Sequence, residues 1–120
     1  MRVPVLKQGD VLIASIQDVL TDEDLTRLRD ELADKVGRFR AKGVIVDVTA
    51  LDVLDSFASR VLRGMAHTTR LRGAETVVVG IQPDVAFSMV QLGLTLEGVS
   101  TALDLDDGLE LLERRLPRVG

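Results

Sequence analysis

The chain has no cysteine, tryptophan or tyrosine and a single histidine. Without cysteine there can be no disulfide, no thiolate metal site and no Cys nucleophile, and nothing speaks for secretion. With one histidine, any Ser-His catalysis would have to use His67. Three phenylalanines are the only aromatics, so a core must be assembled from Val, Leu, Ile, Ala and Met. No window approaches about 18 consecutive apolar residues, and the opening MRVPVLKQGD has no apolar signal core before its Lys7-Gln8-Gly9-Asp10 turn. A cytoplasmic protein with no membrane partner is the default expectation. Neither G-x-x-x-x-G-K-[ST] nor G-x-G-x-x-G occurs, so the ten glycines read as punctuation and no phosphate cradle or other cofactor site is expected.

What is present is apolar and charged in alternation. Hydrophobic residues make up 46% of the 120 positions and charged residues 28%, with a net charge of -4. Lys and Arg interleave with Asp and Glu, whereas nucleic-acid binding needs a clustered positive field, so a nucleic-acid partner is not expected. The length suits one domain over 1–120.

The periods of the sequence lay out an α/β order. Val3 to Leu6 and Val11 to Ile16 are short β-rich runs joined at Gly9-Asp10, which predicts a hairpin, with Pro4 placing the first run at a sheet edge. After Thr21, a predicted N-cap, Leu25, Leu28, Leu32, Val36 and Phe39 recur at helical spacing, and Gly43 is expected to end that helix. An all-apolar strand follows at 44–48. A helix from about Ser56 to Leu71, a stop at Gly73 and a second apolar strand from Thr76 to Ile81 come next. Strands apolar on both faces predict a sheet covered on both sides. Pro83 opens a third helix, whose Val85, Ala86, Met89 and Val90 are expected to form one apolar face, and Gly93 closes it. A strand near Val99–Leu103 and a helix from Asp106 to Leu116, before Pro117, complete a mostly parallel sheet with an N-terminal hairpin and four helices.

Most candidate chemistry dissolves under inspection. His67 lies eleven residues beyond Ser56 along the same predicted helix, which makes it a structural histidine on the surface or half buried. The pairs Asp22-Glu23 and Asp106-Asp107 sit at predicted helix starts, where capping and the helix dipole account for them. No metal site, no catalysis and no cofactor are expected.

One junction remains. Residues 47–60, DVTALDVLDSFASR, run from a strand end into a helix start, where open parallel sheets present functional groups. Ser56, at or beside the N-cap, reads in two ways. It is a capping residue, or it is a phosphoacceptor whose dianion the free N–H groups and the dipole would hold. A ligand-sensing module or a small hydrolase using Ser56 is the weakest reading, since no base lies near Ser56 in the pattern. Thr49 and Ser59 read on pattern alone as polar surface.

The element order, with VIVDVTALDVLDSFASRVL and VVVGIQPDVAFSMVQLG, resembles the STAS domain family of bacterial anti-sigma-factor antagonists, and within it the RsbS-type scaffold proteins of the stressosome. The similarity covers essentially the whole chain. In simple antagonists a D-S-[ST]-G pattern surrounds the acceptor; here Phe57-Ala58 follow Asp55-Ser56, as in stressosome members. The resemblance implies that Ser56 is the residue phosphorylated by an RsbT-type serine kinase, with Asp55, Ser56, Phe57, Ser59 and Arg60 forming the surface that binds it. Ser88 aligns with a second acceptor position, or is an ordinary helix serine. The resemblance further implies self-association into homodimers and larger shells with RsbR-type proteins. Such a shell sequesters the kinase until phosphorylation frees it. A free-standing partner-switching antagonist that binds an anti-sigma kinase directly is the alternative.

Overall fold

Successive side chains of a strand point to opposite faces, and in the central strands of this protein both faces are apolar. A computed structural model describes residues 3–115. The elements are β1 (Val5–Gln8), β2 (Val11–Ser15), α1 (Asp22–Phe39), β3 (Gly43–Asp47), α2 (Ser56–Leu71), β4 (Glu75–Val79), α3 (Pro83–Gln91), β5 (Ser100–Ala102) and α4 (Leu105–Arg115). The sheet order is β1-β2-β3-β4-β5. The β1–β2 hairpin is antiparallel, with Val5 opposite Ala14, and the other pairings are parallel, with Val46 between Ala14 and Val78.

The alternation sorts the core into two clusters. Leu12, Ala14, Val44, Val46 and Val78 face α1, α2 and the inner side of α3. Ile13, Ile45, Val77 and Val79 face the other way, onto Leu112 of α4. This is the two-sided cover that the apolar strands predict. Gly43 and Gly108 permit the second layer: a Cβ on Gly43 would lie 2.7 Å from a Leu112 methyl, and one on Gly108 would lie 2.7 Å from Val79 Cγ1. Both glycines are therefore packing residues. The buried hydroxyls of Thr69 and Thr76 satisfy each other at 2.7 Å between α2 and β4.

Helix ends follow local chemistry. Thr21 caps α1 in a reciprocal box with Asp24, and the interleaved charges become i,i+4 pairs along its surface, such as Arg27–Glu23 and Arg38–Asp34. Such exposed pairs contribute only tenths of a kcal/mol each, roughly 0.3–0.5. The expected Gly43 stop is wrong. Arg40 ends α1 in the left-handed region at φ 51°, its N–H reaching Val36 O, and Gly43 is already in β3. The strand expected to run to Ile81 ends at Val79, because Gly80 takes φ 80° and turns the chain. Asp104 caps α4 through the Asp107 N–H at 2.9 Å, so α4 begins one residue before the expected Asp106. Its expected end at Leu116, and Pro117, lie outside the described residues.

The third helix departs most from expectation. Only Val85 and Met89 turn inward; Ala86 and Val90 are exposed together with Phe87. The positions Pro83, Ala86, Phe87 and Val90 follow i, i+3, i+4, i+7 and make a second apolar stripe on the solvent side. A nine-residue helix rich in apolar residues has enough of them for two faces, and the sequence pattern alone does not say which one meets the sheet.

Candidate functional site

The site lies where β3 and β4 end and α2 begins. As β3 leaves the sheet, Val48 N–H still donates to Val79 O at 3.0 Å. The Asp47 carboxylate then accepts from the Thr49 N–H at 2.9 Å and from the Thr49 hydroxyl at 2.6 Å, a local turn typical of Asp. From the neighbouring β4–α3 turn, Gln82 Nε2 donates to Thr49 O at 2.8 Å. A Cβ at Gly80 would collide with the Thr49 hydroxyl, so only glycine allows the two turns to close on each other. Asp47, Thr49, Gly80 and Gln82 thus hold the loop that leads to α2. Sequence reasoning placed Thr49 on bare polar surface and gave these residues no joint role; the Gly-Ile-Gln-Pro turn was visible, but its partner 33 positions away was not.

The loop delivers Asp55 and Ser56 to distinct jobs. Asp55 is the N-cap, extended at φ -81°, ψ -179°, and its carboxylate accepts from the Ala58 N–H at 2.8 Å. Ser56 is the first residue of α2 and is exposed. Among the described residues its hydroxyl makes no hydrogen bond. Capping is therefore taken by the neighbour, and the serine hydroxyl stands at the positive end of a 16-residue helix with nothing to hold it.

The remaining residues of the expected docking surface separate. Phe57 is half buried against the core, and the exposed Arg60 lays its guanidinium 5.9 Å from the Phe57 ring centroid. Ser59 is corrected: at 2% exposure it is buried on the inner side of α2, and its hydroxyl has no partner. It follows Ala58 on the flank of the buried stripe, where a 100° step per residue turns it inward. A docking partner cannot reach it. Ser88 is exposed on α3, a different element from the Ser56 junction. His67 is exposed on α2 and lies in register with Ser56, Arg60, Arg63 and Arg70, at offsets of 4, 7, 11 and 14 from Ser56. The three arginines, exposed Arg60 and Arg70 and half-buried Arg63, give this face of α2 a cationic stripe with Ser56 at its head.

Among the described residues, no group of three or more His, Asp or Glu could hold a metal ion, and no helix is long and apolar enough to cross a membrane.

The site is thus the start of α2 at the C-terminal end of a five-stranded α/β sheet, capped by Asp55 and displaying the exposed, unengaged hydroxyl of Ser56. The chain belongs to the STAS domain family, whose model matches residues 2–107. It is similar to a serine-to-glutamate variant of Moorella thermoacetica RsbS, with 36% identity, a TM-score of 0.80 and coverage of 95% of this chain and 97% of that one. A chain from a structure describing the stressosome as a signal integration and transduction hub matches at 36% identity and TM-score 0.77, over 94% of this chain and 100% of that one. In sequence it is 26% identical to the RsbT co-antagonist protein RsbRA of Bacillus subtilis (strain 168), across 98% of this chain but 44% of that protein. The chain spans less than half the length of the three RsbT co-antagonist relatives it matches.

Proposed function

We propose that this protein is a non-catalytic scaffold of a stressosome-type complex in the cytoplasm, which sequesters an RsbT-type serine kinase and releases it when Ser56 is phosphorylated. The observation that carries the reading is the division of labour at the start of α2: Asp55 caps the helix, so the exposed Ser56 hydroxyl is left for chemistry. The likeness to RsbS and to a stressosome chain supports it, as does the match to RsbT co-antagonists. RsbR-type proteins and further copies of this chain are its assembly partners, and Ser88, exposed on α3, is the second candidate acceptor.

Phosphorylation adds about -1.5 to -2 charges at neutral pH. At the first helical position the dianion meets free N–H groups and the dipole, so the fold accommodates it. On the docking surface the same charge must be desolvated or repelled when the kinase binds, and each 1.4 kcal/mol is about tenfold in affinity.

The test is to incubate the protein with its cognate kinase and ATP, map the phosphopeptides, and measure kinase affinity for variants. Affinity is expected to fall in the order wild type about equal to Ser56→Ala, then Ser56→Asp, then phosphoserine, because aspartate carries roughly one charge against nearly two. Since Asp55 is the cap, Ser56→Ala should leave stability within about 0.5 kcal/mol of wild type. Equal phosphate uptake by Ser56→Ala and wild type would sink the acceptor assignment, and equal kinase affinity of Ser56→Asp and wild type would sink the switch. Co-expression with an RsbR-type protein separates the scaffold, which forms megadalton-scale particles, from a free-standing antagonist, which forms small complexes.

A further inference from the structure

The same tripeptide occurs twice, Asp18-Val19-Leu20 before α1 and Asp52-Val53-Leu54 before α2, and the fold brings the two copies to one cleft. In each copy Asp and Val are exposed while Leu turns toward the interior. The cleft has a volume of about 70 Å³ and a floor of Ile16, Leu25, Leu51 and Leu62. Its lips are Val19 and Val53, at 74% and 64% exposure. Apolar lips at that exposure, on loops that otherwise end in carboxylates, have no role in the core.

The charge around the cleft is of one sign. Asp22 and Asp55 line it, and Asp18 and Asp52 adjoin the two valines. Residues 16–25 and 48–59 contain no Lys, Arg or His. On the other side of Ser56, α2 carries the exposed Arg60 and Arg70 with the half-buried Arg63 between them. Ser56 therefore sits on a charge boundary, with an acid-rimmed apolar cleft before it and a cationic stripe after it.

We propose that this cleft is the anchor point for the kinase, taking one aliphatic or aromatic side chain of the partner flanked by lysine or arginine. The proposal rests on the kinase-scaffold reading and deepens it. Apolar floor and lips receive the side chain, and the carboxylates select its basic neighbours. The partner surface over α2 is then acidic, to match the stripe. A phosphate on Ser56 heads that stripe, takes Arg60 for itself and repels the partner's acidic side. The cleft supplies affinity that does not depend on phosphorylation, and the stripe supplies the part that phosphorylation removes.

The experiment measures kinase affinity by titration for wild type, for Val19→Ser with Val53→Ser, and for Asp18→Asn with Asp52→Asn, with exposed Leu103→Ser as a remote control. All four altered valines and aspartates are exposed, so unfolding midpoints should stay with wild type; the two pairs act independently should one disturb a loop. At least a tenfold rise in Kd for each pair, none for Leu103→Ser, and a shallower salt dependence for the Asn pair are expected. If wild type binds and both pairs bind within twofold of it, the cleft is not the anchor and the scaffold reading stands. If wild type does not bind the kinase at all, the scaffold reading fails and the anchor fails with it. Loss of self-association by the valine pair with unchanged kinase affinity would assign the cleft to a second copy of the chain and overturn the proposal.

Discussion

The helices α2 and α3 start alike and end up as different surfaces. Each follows a buried parallel strand and begins at the C-terminal end of the sheet's parallel strands. α2 has a side-chain cap from Asp55, buries one stripe centred on Leu62, Met65 and Thr69, and shows cations outside. α3 has no side-chain cap; Gln82, at its N-cap position, spends its amide on Thr49 O, and Pro83 supplies the first helical φ. α3 then exposes Phe87 at 65% and Val90 at 78%. The difference teaches that a helix is placed by which stripe meets the sheet, whereas the number of apolar residues it holds says little. It also shows one N-terminus specialised for display and the other for bracing the display loop.

The sharpest contrast is inward against outward. Met65 is 0% exposed, so Met65→Ala should cost about 2–5 kcal/mol, a drop in thermal midpoint of roughly 10 °C or more. Phe87→Ser, on the outer stripe of α3, should stay within about 0.5 kcal/mol. Calorimetry on the two variants checks this; a larger loss for Phe87→Ser would mean that α3 is seated the other way round.

The link between the two helix starts comes next in size. Gly80→Ala places a Cβ in the left-handed region and against Thr49, and should cost on the order of 1–3 kcal/mol. Its signature would be faster amide exchange across residues 49–55, because the Thr49 turn loses its brace. Unchanged exchange there would show that the loop holds itself without the β4–α3 turn.

The smallest effect concerns the caps. Asp55→Ala should lose roughly 1 kcal/mol, while Asp55→Asn keeps most of it. Gln82→Ala removes no cap, so it should leave α3 stable and register mainly as local exchange around Thr49. If denaturant titration found Gln82→Ala as costly as Asp55→Ala, the two helix starts would not differ as described.

Much of this was legible in the residues. Period-3.6 spacing located α1 and α2, because each has a single apolar stripe. The uninterrupted valine and isoleucine runs located β3 and β4 and called for cover on both faces. Ser56 stood out because a strand end and a helix start met beside it. The misses share a cause. The exposure of Ala86 and Val90, the burial of Ser59, the Thr49–Gln82 brace and the joining of two Asp-Val-Leu loops in one cleft all depend on partners distant in sequence.

Local chemistry alone thus determined the elements, their order and the junction at Asp55-Ser56, since strand and helix periods, caps and turn residues act within a few positions of the chain. Tertiary structure decided the rest: which stripe of α3 faces the sheet, why Gly43 and Gly108 carry no side chain, and what surrounds Ser56. Those outcomes are set by close packing across the sheet and between neighbouring turns, where a methyl group 2.7 Å from Leu112 or an amide 2.8 Å from Thr49 O decides, and no periodicity along the chain encodes such distances.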